Sequence, residues 1–327
     1  MKVLLLQLDG HLPNLALLRL TAHHRALGDS VSLQQCRTID AAERGLWDQW
    51  DIVYASLIFT RSRPIAERLK SVYPGCIAGG TGWDLETTLE QRGVGFACDY
   101  SLYPSFRSSI GFTQRGCRMS YPGSPCHDFC VVPRKEGRMH GLMSIAEIWR
   151  GKPWPRELII LDNDFFGNRE WPDRIKEIRE GGFKVNFTQG FNARLLSERA
   201  AAAVATVDYR STNMRDKKLY CAWDNIGDEA PLFRGLEALV RHGIPPGHIS
   251  VYMLIGLHDT AEDREYRREK LRAFGVDPYP MPFVRTKELV GFQRWCVGHY
   301  DKRISWDRWV KAKYQPANLG NGERSFW

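Results

Sequence analysis

SIGFTQRGCRMSYPGSPCHDFCVVPRKEG, residues 109–137, runs from an apolar strand-like segment into a Gly/Pro-rich loop that carries three cysteines, Cys117, Cys126 and Cys130. A strand that opens directly into a chemistry-bearing loop is the habit of parallel α/β folds, whose ligands gather at the carboxyl ends of the strands. The same pattern recurs downstream. ELIILDN (157–163), KVNFTQG (184–190), KLYCAWDN (218–225), ISVYMLIGL (249–257) and DPYPMPF (277–283) read as further strands. Helical patterns lie between them at 171–182, 197–205, 230–243 and 263–275. Six such repeats predict a partial (β/α)6 TIM barrel over residues 107–285, with the cysteine loop on its catalytic end.

Upstream, residues 1–106 alternate the same two periods on a smaller scale. KVLLLQL (2–8), VSLQQC (31–36), DIVYASLIF (51–59), CIAGG (76–80) and GFACDY (95–100) read as strands, with helices at 13–28, 41–47, 61–73 and 85–93. Pro13 opens the first helix and Gly28 ends it. This predicts a Rossmann-like α/β domain. Residues 286–327 form a basic tail in which Trp306, Trp309, Tyr314 and Trp327 interleave with Lys and Arg.

The short apolar start meets Asp9 too soon for a signal peptide, and no stretch is long enough to span a membrane, so a cytoplasmic protein is expected. In that compartment the eight cysteines are free, metal-bound or catalytic rather than paired. Lys and Arg total 46 against 38 Asp and Glu, a net charge of +8 that suits a polyanionic partner such as nucleic acid.

Cys117, Cys126 and Cys130 are separated by eight and three residues. Thiolates so close together suit a soft metal: zinc with a fourth ligand, or an iron–sulfur cluster. His127 is a poor fourth zinc ligand, because it adjoins Cys126. A loop that binds no metal is the remaining reading.

The segments GFTQRGC, FC and VVPRKEG resemble the radical S-adenosylmethionine (SAM) superfamily, in particular its branch with an N-terminal cobalamin-binding-like domain. PNLALLRL, GGTGWDL, DYSLYP, LDNDFFGN, FTQGFNARLL, AWDN and FQRW extend the likeness, which is to radical SAM proteins of bacterial and phage genomes. The family's usual spacing is Cys-x3-Cys-x2-Cys. Here MSYPGSP lengthens the first gap, which makes Cys126 the least secure ligand.

The resemblance implies that Cys117, Cys126 and Cys130 hold a [4Fe-4S] cluster, that SAM occupies the iron left without a protein ligand, and that a flavodoxin- or ferredoxin-type donor reduces the cluster. The outcome is a 5′-deoxyadenosyl radical that abstracts hydrogen from the substrate. It further implies that Phe129 lies beside the adenine and that Asp162, Asn163 and Asp164 hold the SAM amino group. Gln189, Asn192 and Arg194 suit the ribose and carboxylate, and Ile255 and Gly256 lie along the adenine. Asp164, Trp223 and Asp224 are the candidates closest to the reaction, with Asn225 beside them. Each has a plainer reading: capping turns for 162–164, a surface charge for Arg194, core filling for Trp223.

Asp9, His11, Ser56, Gly79 and Gly80 parallel the cobalamin motif Asp-x-His-x-x-Gly, Ser-x-Leu, Gly-Gly, although Asn14 replaces its first glycine. They either bind cobalamin, line a substrate site or serve structure alone. The charge and the tail make a modified nucleic acid base, in phage DNA or in tRNA, the expected substrate. A small molecule or peptide is the alternative, and a zinc nucleic-acid-binding protein without catalysis is the reading from another class.

Overall fold

The run VLLL in β1 (Lys2–Gln7) is apolar at every position, which suits a strand covered on both faces. The computed structural model describes residues 1–43, 50–121, 123–124, 126 and 128–313. It divides into two compact units, Met1–Arg107 and Ser108 onward. In the first, α1 (Leu15–Ala26) leads to β2 (Ser30–Gln35), then α2 (Ile39–Glu43), β3 (Ile52–Ser56), α3 (Arg63–Val72) and β4 (Ile77–Gly79). The four strands form one parallel sheet in the order β2-β1-β3-β4. Val3 and Leu5 pack with Leu17 and Leu20 of α1, while Leu4 and Leu6 pack with Ile65 and Leu69 of α3, so helices cover opposite faces.

Two expected elements are absent among the described residues. Residues 95–100 form no strand, because their backbone is held by α1: Arg19 donates to the carbonyls of Val94 and Gly95 at 2.8 Å each, and Asp99 N–H donates to Leu18 O at 3.1 Å. The expected helix at 85–93 is reduced to one 3-10 turn, Glu90–Arg92, since Asp84 takes the N–H groups of Glu86 and Thr87. The helix expected at 41–47 survives as the end of α2, and its remainder lies outside the described residues.

The second unit begins with β5 (Ser109–Gly111). A short antiparallel hairpin follows, β6 (Gln114–Arg115) with β7 (His140–Gly141), and encloses the cysteine loop and α4 (Val132–Glu136). Then come α5 (Ile145–Ile148), β8 (Glu157–Ile160), α6 (Trp171–Glu180), β9 (Lys184–Phe187), α7 (Glu198–Ala205) and β10 (Asp208–Tyr209). β11 (Leu219–Ala222), α8 (Glu229–Arg241), β12 (Ile249–Ile255), α9 (Ala261–Phe274) and β13 (Asp277–Pro282) complete the series. The strands form two parallel sheets, β10-β9-β8-β5 and β11-β12-β13, joined by a bridge between Phe191 and Cys221. Alternate residues Val251, Met253 and Ile255 of β12 are fully buried toward the helices. The other face of β11–β13 carries Tyr220, Tyr252 and Tyr279 at ring-centroid spacings of 5.4 Å.

The described part of the tail, α10 (Lys287–Val297) and α11 (Trp306–Lys313), joins this core. Trp306 packs on Phe292 and Trp295, and Trp309 on Tyr300, so these rings are spent on packing rather than offered to a nucleic acid. Tyr314 and Trp327 lie outside the described residues. No helix among the described residues is long and apolar enough to cross a membrane.

In the first unit, Gly80 has φ +99°, and a Cβ there would collide with the carbonyl oxygen of Leu57. Gly80→Ala is therefore expected to cost about 1–3 kcal/mol in denaturant unfolding. Gly79, where a Cβ meets nothing within 4 Å, is the control: Gly79→Ala should be much milder, and equal losses would contradict the packing account.

Candidate metal centre at the cysteine loop

The cysteine loop is rooted by two buried carboxylates. Asp162, just beyond β8, accepts from the backbone N–H groups of Thr113 (2.7 Å) and Gln114 (3.3 Å) and from the Thr113 hydroxyl. Burial nevertheless pushes its carboxyl up to about 7. Glu136, at the end of α4, accepts from Arg115 Nη2 (2.9 Å), Gly116 N (2.9 Å) and Asn163 Nδ2 (2.8 Å). Gly116 has φ +86° and sits where a Cβ would press on the backbone of Met139, which sets the hairpin's close approach.

Within the loop, Ser120 N donates to Cys117 O and Ser124 N to Tyr121 O. Cys130 N then donates to Cys126 O at 2.9 Å, one helical turn that places the two cysteines on a common side.

Two of the three thiols are met by residues from different strand ends. Cys117 Sγ lies 3.9 Å from Asp164 Oδ2, beyond β8. Cys126 Sγ lies 3.8 Å from Arg194 Nη2, beyond β9. Cys130 feels the charge of Asp224, beyond β11. All three are free and partly buried. Burial, then the charge of Asp164 and of the other two cysteines, pushes the Cys117 thiol up to about 12. Burial, then chiefly Cys126, Asp224 and Glu136, pushes Cys130 up as well. Among the described residues no group of three or more His, Cys, Asp or Glu side chains is drawn tightly enough together to hold one metal ion. A cluster makes a smaller demand, because it takes each thiolate on a separate iron. Three free thiols from one loop are the donor chemistry such a group takes. His127 lies outside the described residues.

The other expected residues divide by what already occupies them. Asp164 is fully buried, and Arg118 grips its carboxylate through Nε and Nη2 at 2.8 Å each and through its backbone N–H at 3.1 Å. Asp162 is committed to the loop root and the Asn163 amide N–H to Glu136, so neither aspartate stands open to an incoming amino group. Trp223 is a correction: it is fully buried, packed edge-on against Phe233, because β11 turns it toward the helices. Ile255 is fully buried too. The Gly256 N–H donates to Asp259 Oδ1 at 2.5 Å, and a Cβ at Gly256 would collide with Leu289, so that glycine answers to packing rather than to an adenine.

Arg194, Asn192, Gln189, Phe129 and Asp224 remain available. Arg194 rides on a 3-10 turn, Ala193–Leu195, pressed against α8 where Gly235 leaves room for the Ala193 carbonyl. It is oriented by Asp228 at 2.5 Å and by Asn192 Oδ1 at 3.2 Å. Gln189 is exposed and Phe129 partly buried. Asp224 accepts from Leu254 N at 3.1 Å, and burial raises its carboxyl pKa despite Arg194 and Arg267. Asn225 caps the turn that follows by accepting from Gly227 N. The sequence pattern assigned no role to Glu136, Arg118, Thr113 or Asp228. Glu136 stood inside the quoted KEG, but nothing local marks its long-range partners.

In the first unit, the Asp9 carboxylate is taken by the N–H groups of Ile58 (2.8 Å) and Phe59 (3.0 Å). Gln7 Nε2 gathers the carbonyls of Asp9, Gly10 and Leu12, and Asn14 caps α1. Ser56 is buried, its carbonyl accepting from Leu8 N, while His11 is exposed and makes no hydrogen bond to the described residues. Asp9 is thus committed to loop closure and does not orient His11 as an axial ligand. With Gly80 packed on Leu57 as well, these residues do not fit a cobalamin site.

No protein-family model, curated protein or solved structure matches the chain.

Arg118→Ala leaves the Asp164 carboxylate buried and uncompensated. The expected cost in denaturant unfolding is about 2–3 kcal/mol, discounted for the partial exposure of Arg118, and adding Asp164→Asn should recover most of it. The folded Asp162 carboxyl binds its proton more tightly than the unfolded one, so between about pH 4 and about pH 7 the native state holds the extra proton. Stability then falls as pH rises through that window. Asp162→Asn should flatten that slope in unfolding titrations, and an unchanged slope would assign it to other groups.

Proposed function

We propose that the chain is a radical SAM enzyme: Cys117, Cys126 and Cys130 hold a [4Fe-4S] cluster at the carboxyl end of a partial (β/α)6 barrel, and a Rossmann-like unit precedes it. The observation that carries this reading is that two of the three free thiols of one loop meet residues from two different strand ends, Cys117 at Asp164 and Cys126 at Arg194. Convergence of several strand ends on one point is how parallel α/β folds assemble a reaction site. A single zinc ion has less support, since no tight ligand group exists among the described residues.

When bound, the cluster supplies the electron that splits the S–C5′ bond of SAM, leaving a carbon radical able to take hydrogen from a substrate. The protein's own part is to bind, orient and exclude water. Arg194, held by Asp228 and Asn192, presents a fixed cation beside Cys126 for the SAM carboxylate. Asp224, fixed by the Leu254 N–H, offers a carboxylate oxygen to a ligand hydroxyl. Phe129 supplies an apolar wall, and the Arg118–Asp164 pair holds Cys117 in position. The net charge of +8 favours a nucleic acid base as the substrate, with a flavodoxin- or ferredoxin-type protein as the electron source.

The test is anaerobic reconstitution with iron and sulfide, followed by reduction in the presence of SAM. A brown chromophore and 5′-deoxyadenosine are expected. An intact cluster that yields no 5′-deoxyadenosine would sink the radical reading. Cys130→Ala and Cys126→Ala should each lose the chromophore and most of the iron. Full iron retention in Cys126→Ala would remove that residue from the ligand set.

A further inference from the structure

The carboxyl ends of the four strands of the first unit carry a cluster of cations and aromatic rings that the cysteine centre does not use. Open parallel sheets bind ligands at this edge, where the strand order reverses, here between β1 and β3. The loops there are joined by contacts already named: Asp9 after β1 takes the N–H groups of Ile58 and Phe59 after β3, and Gly82 after β4 donates to Leu57 O at 3.1 Å. Arg37, after β2, donates to Gly10 O at 2.9 Å and so completes a continuous rim.

On this rim Phe59 is 42% exposed, with the Arg61 guanidinium 4.5 Å from its ring centre. Trp83 is half-buried, with Arg63 at 5.0 Å and Lys70 at 5.6 Å from its ring. Arg37, Arg61, Arg63 and Lys70 are all exposed. Among the described residues no carboxylate pairs with any of them, although most arginines of the second unit's core edge are paired. Cations flanking aromatic rings at an open edge are suited to a ligand that alternates negative charge with flat π-faces.

We infer that this rim binds single-stranded nucleic acid, with Arg37, Arg61 and Arg63 on phosphates and a base stacked on Phe59. The inference rests on the nucleic-acid part of the reading above and deepens it, and it is independent of the cluster. A duplex offers phosphates but hides its π-faces, and a free nucleotide spans only one cation–ring pair. The single strand alone satisfies the whole rim.

The experiment is fluorescence anisotropy of the full chain with a labelled oligothymidylate, over a range of salt, beside a duplex and thymidine monophosphate. Expected is preference for the single strand and a log–log salt slope that shrinks by about 0.7 for each of Arg37→Gln, Arg61→Gln and Arg63→Gln. Arg61→Lys should restore the slope. Phe59→Ala should weaken binding on the order of tenfold at unchanged slope, and thermal melting should show every variant folded. Affinity that ignores all four positions, or a duplex bound as tightly as the strand, overturns this surface alone. No binding of any strand at low salt overturns the surface together with the nucleic-acid substrate, and leaves the cysteine centre standing.

Discussion

The buried carboxylate of Asp162 is the interaction on which the second unit's chemistry hangs. At the point where β5 ends, the backbone N–H groups of Thr113 and Gln114 have left the sheet ladder and still lie in the interior. An unpaired N–H there costs as much as a lost hydrogen bond or more. Asp162, carried to the same level by the neighbouring strand β8, accepts both. The loop that starts two residues later therefore leaves in one defined direction, and Glu136 fixes its return by gripping Arg115 and Gly116. The carboxyl's reluctance to ionise is the cost of placing an acid where the backbone needs an acceptor.

Electrostatics then explains why the three cysteines are surrounded as they are. Burial raises the pKa of the Cys117 and Cys130 thiols, which keep their protons unless a metal replaces them and releases the proton to solvent. Arg194 at Cys126 is the only guanidinium found touching one of the three sulfurs among the described residues, whereas Asp164 and Asp224 oppose negative charge at Cys117 and Cys130. Arg118 largely neutralises Asp164, so the local balance depends on an ion pair formed within the loop itself.

The period of the apolar residues was enough to read the α/β class and most of its strands, because burial on one or both faces leaves a direct imprint on spacing. Residues 95–100 show where that imprint misleads. Their apolar character is real, yet Arg19 takes the carbonyls of Gly95 and of Val94 just before it from any ladder, and an arginine seventy-odd residues upstream leaves no local trace. Trp223 shows the opposite failure: its place beside Asp224 and Asn225 suggested an open mouth, whereas strand alternation turns it into the core.

What the amino-acid sequence determined by itself is the parallel α/β character, the three-cysteine loop after a strand, and the polar residues at the strand ends. These follow from periodicity and from chemistry written in neighbouring residues. Only the tertiary structure decided which of those polar groups are already bound. Asp162, Asp164 and Asp9 look like free ligands in the linear chain, and each is consumed by a partner between 46 and 50 residues away. Hydrogen-bond capacity is finite, and its allocation is settled by which loops meet in space. The same accounting leaves Arg194 at the Cys126 sulfur and, among the described residues, the cations of the first unit's rim without carboxylates.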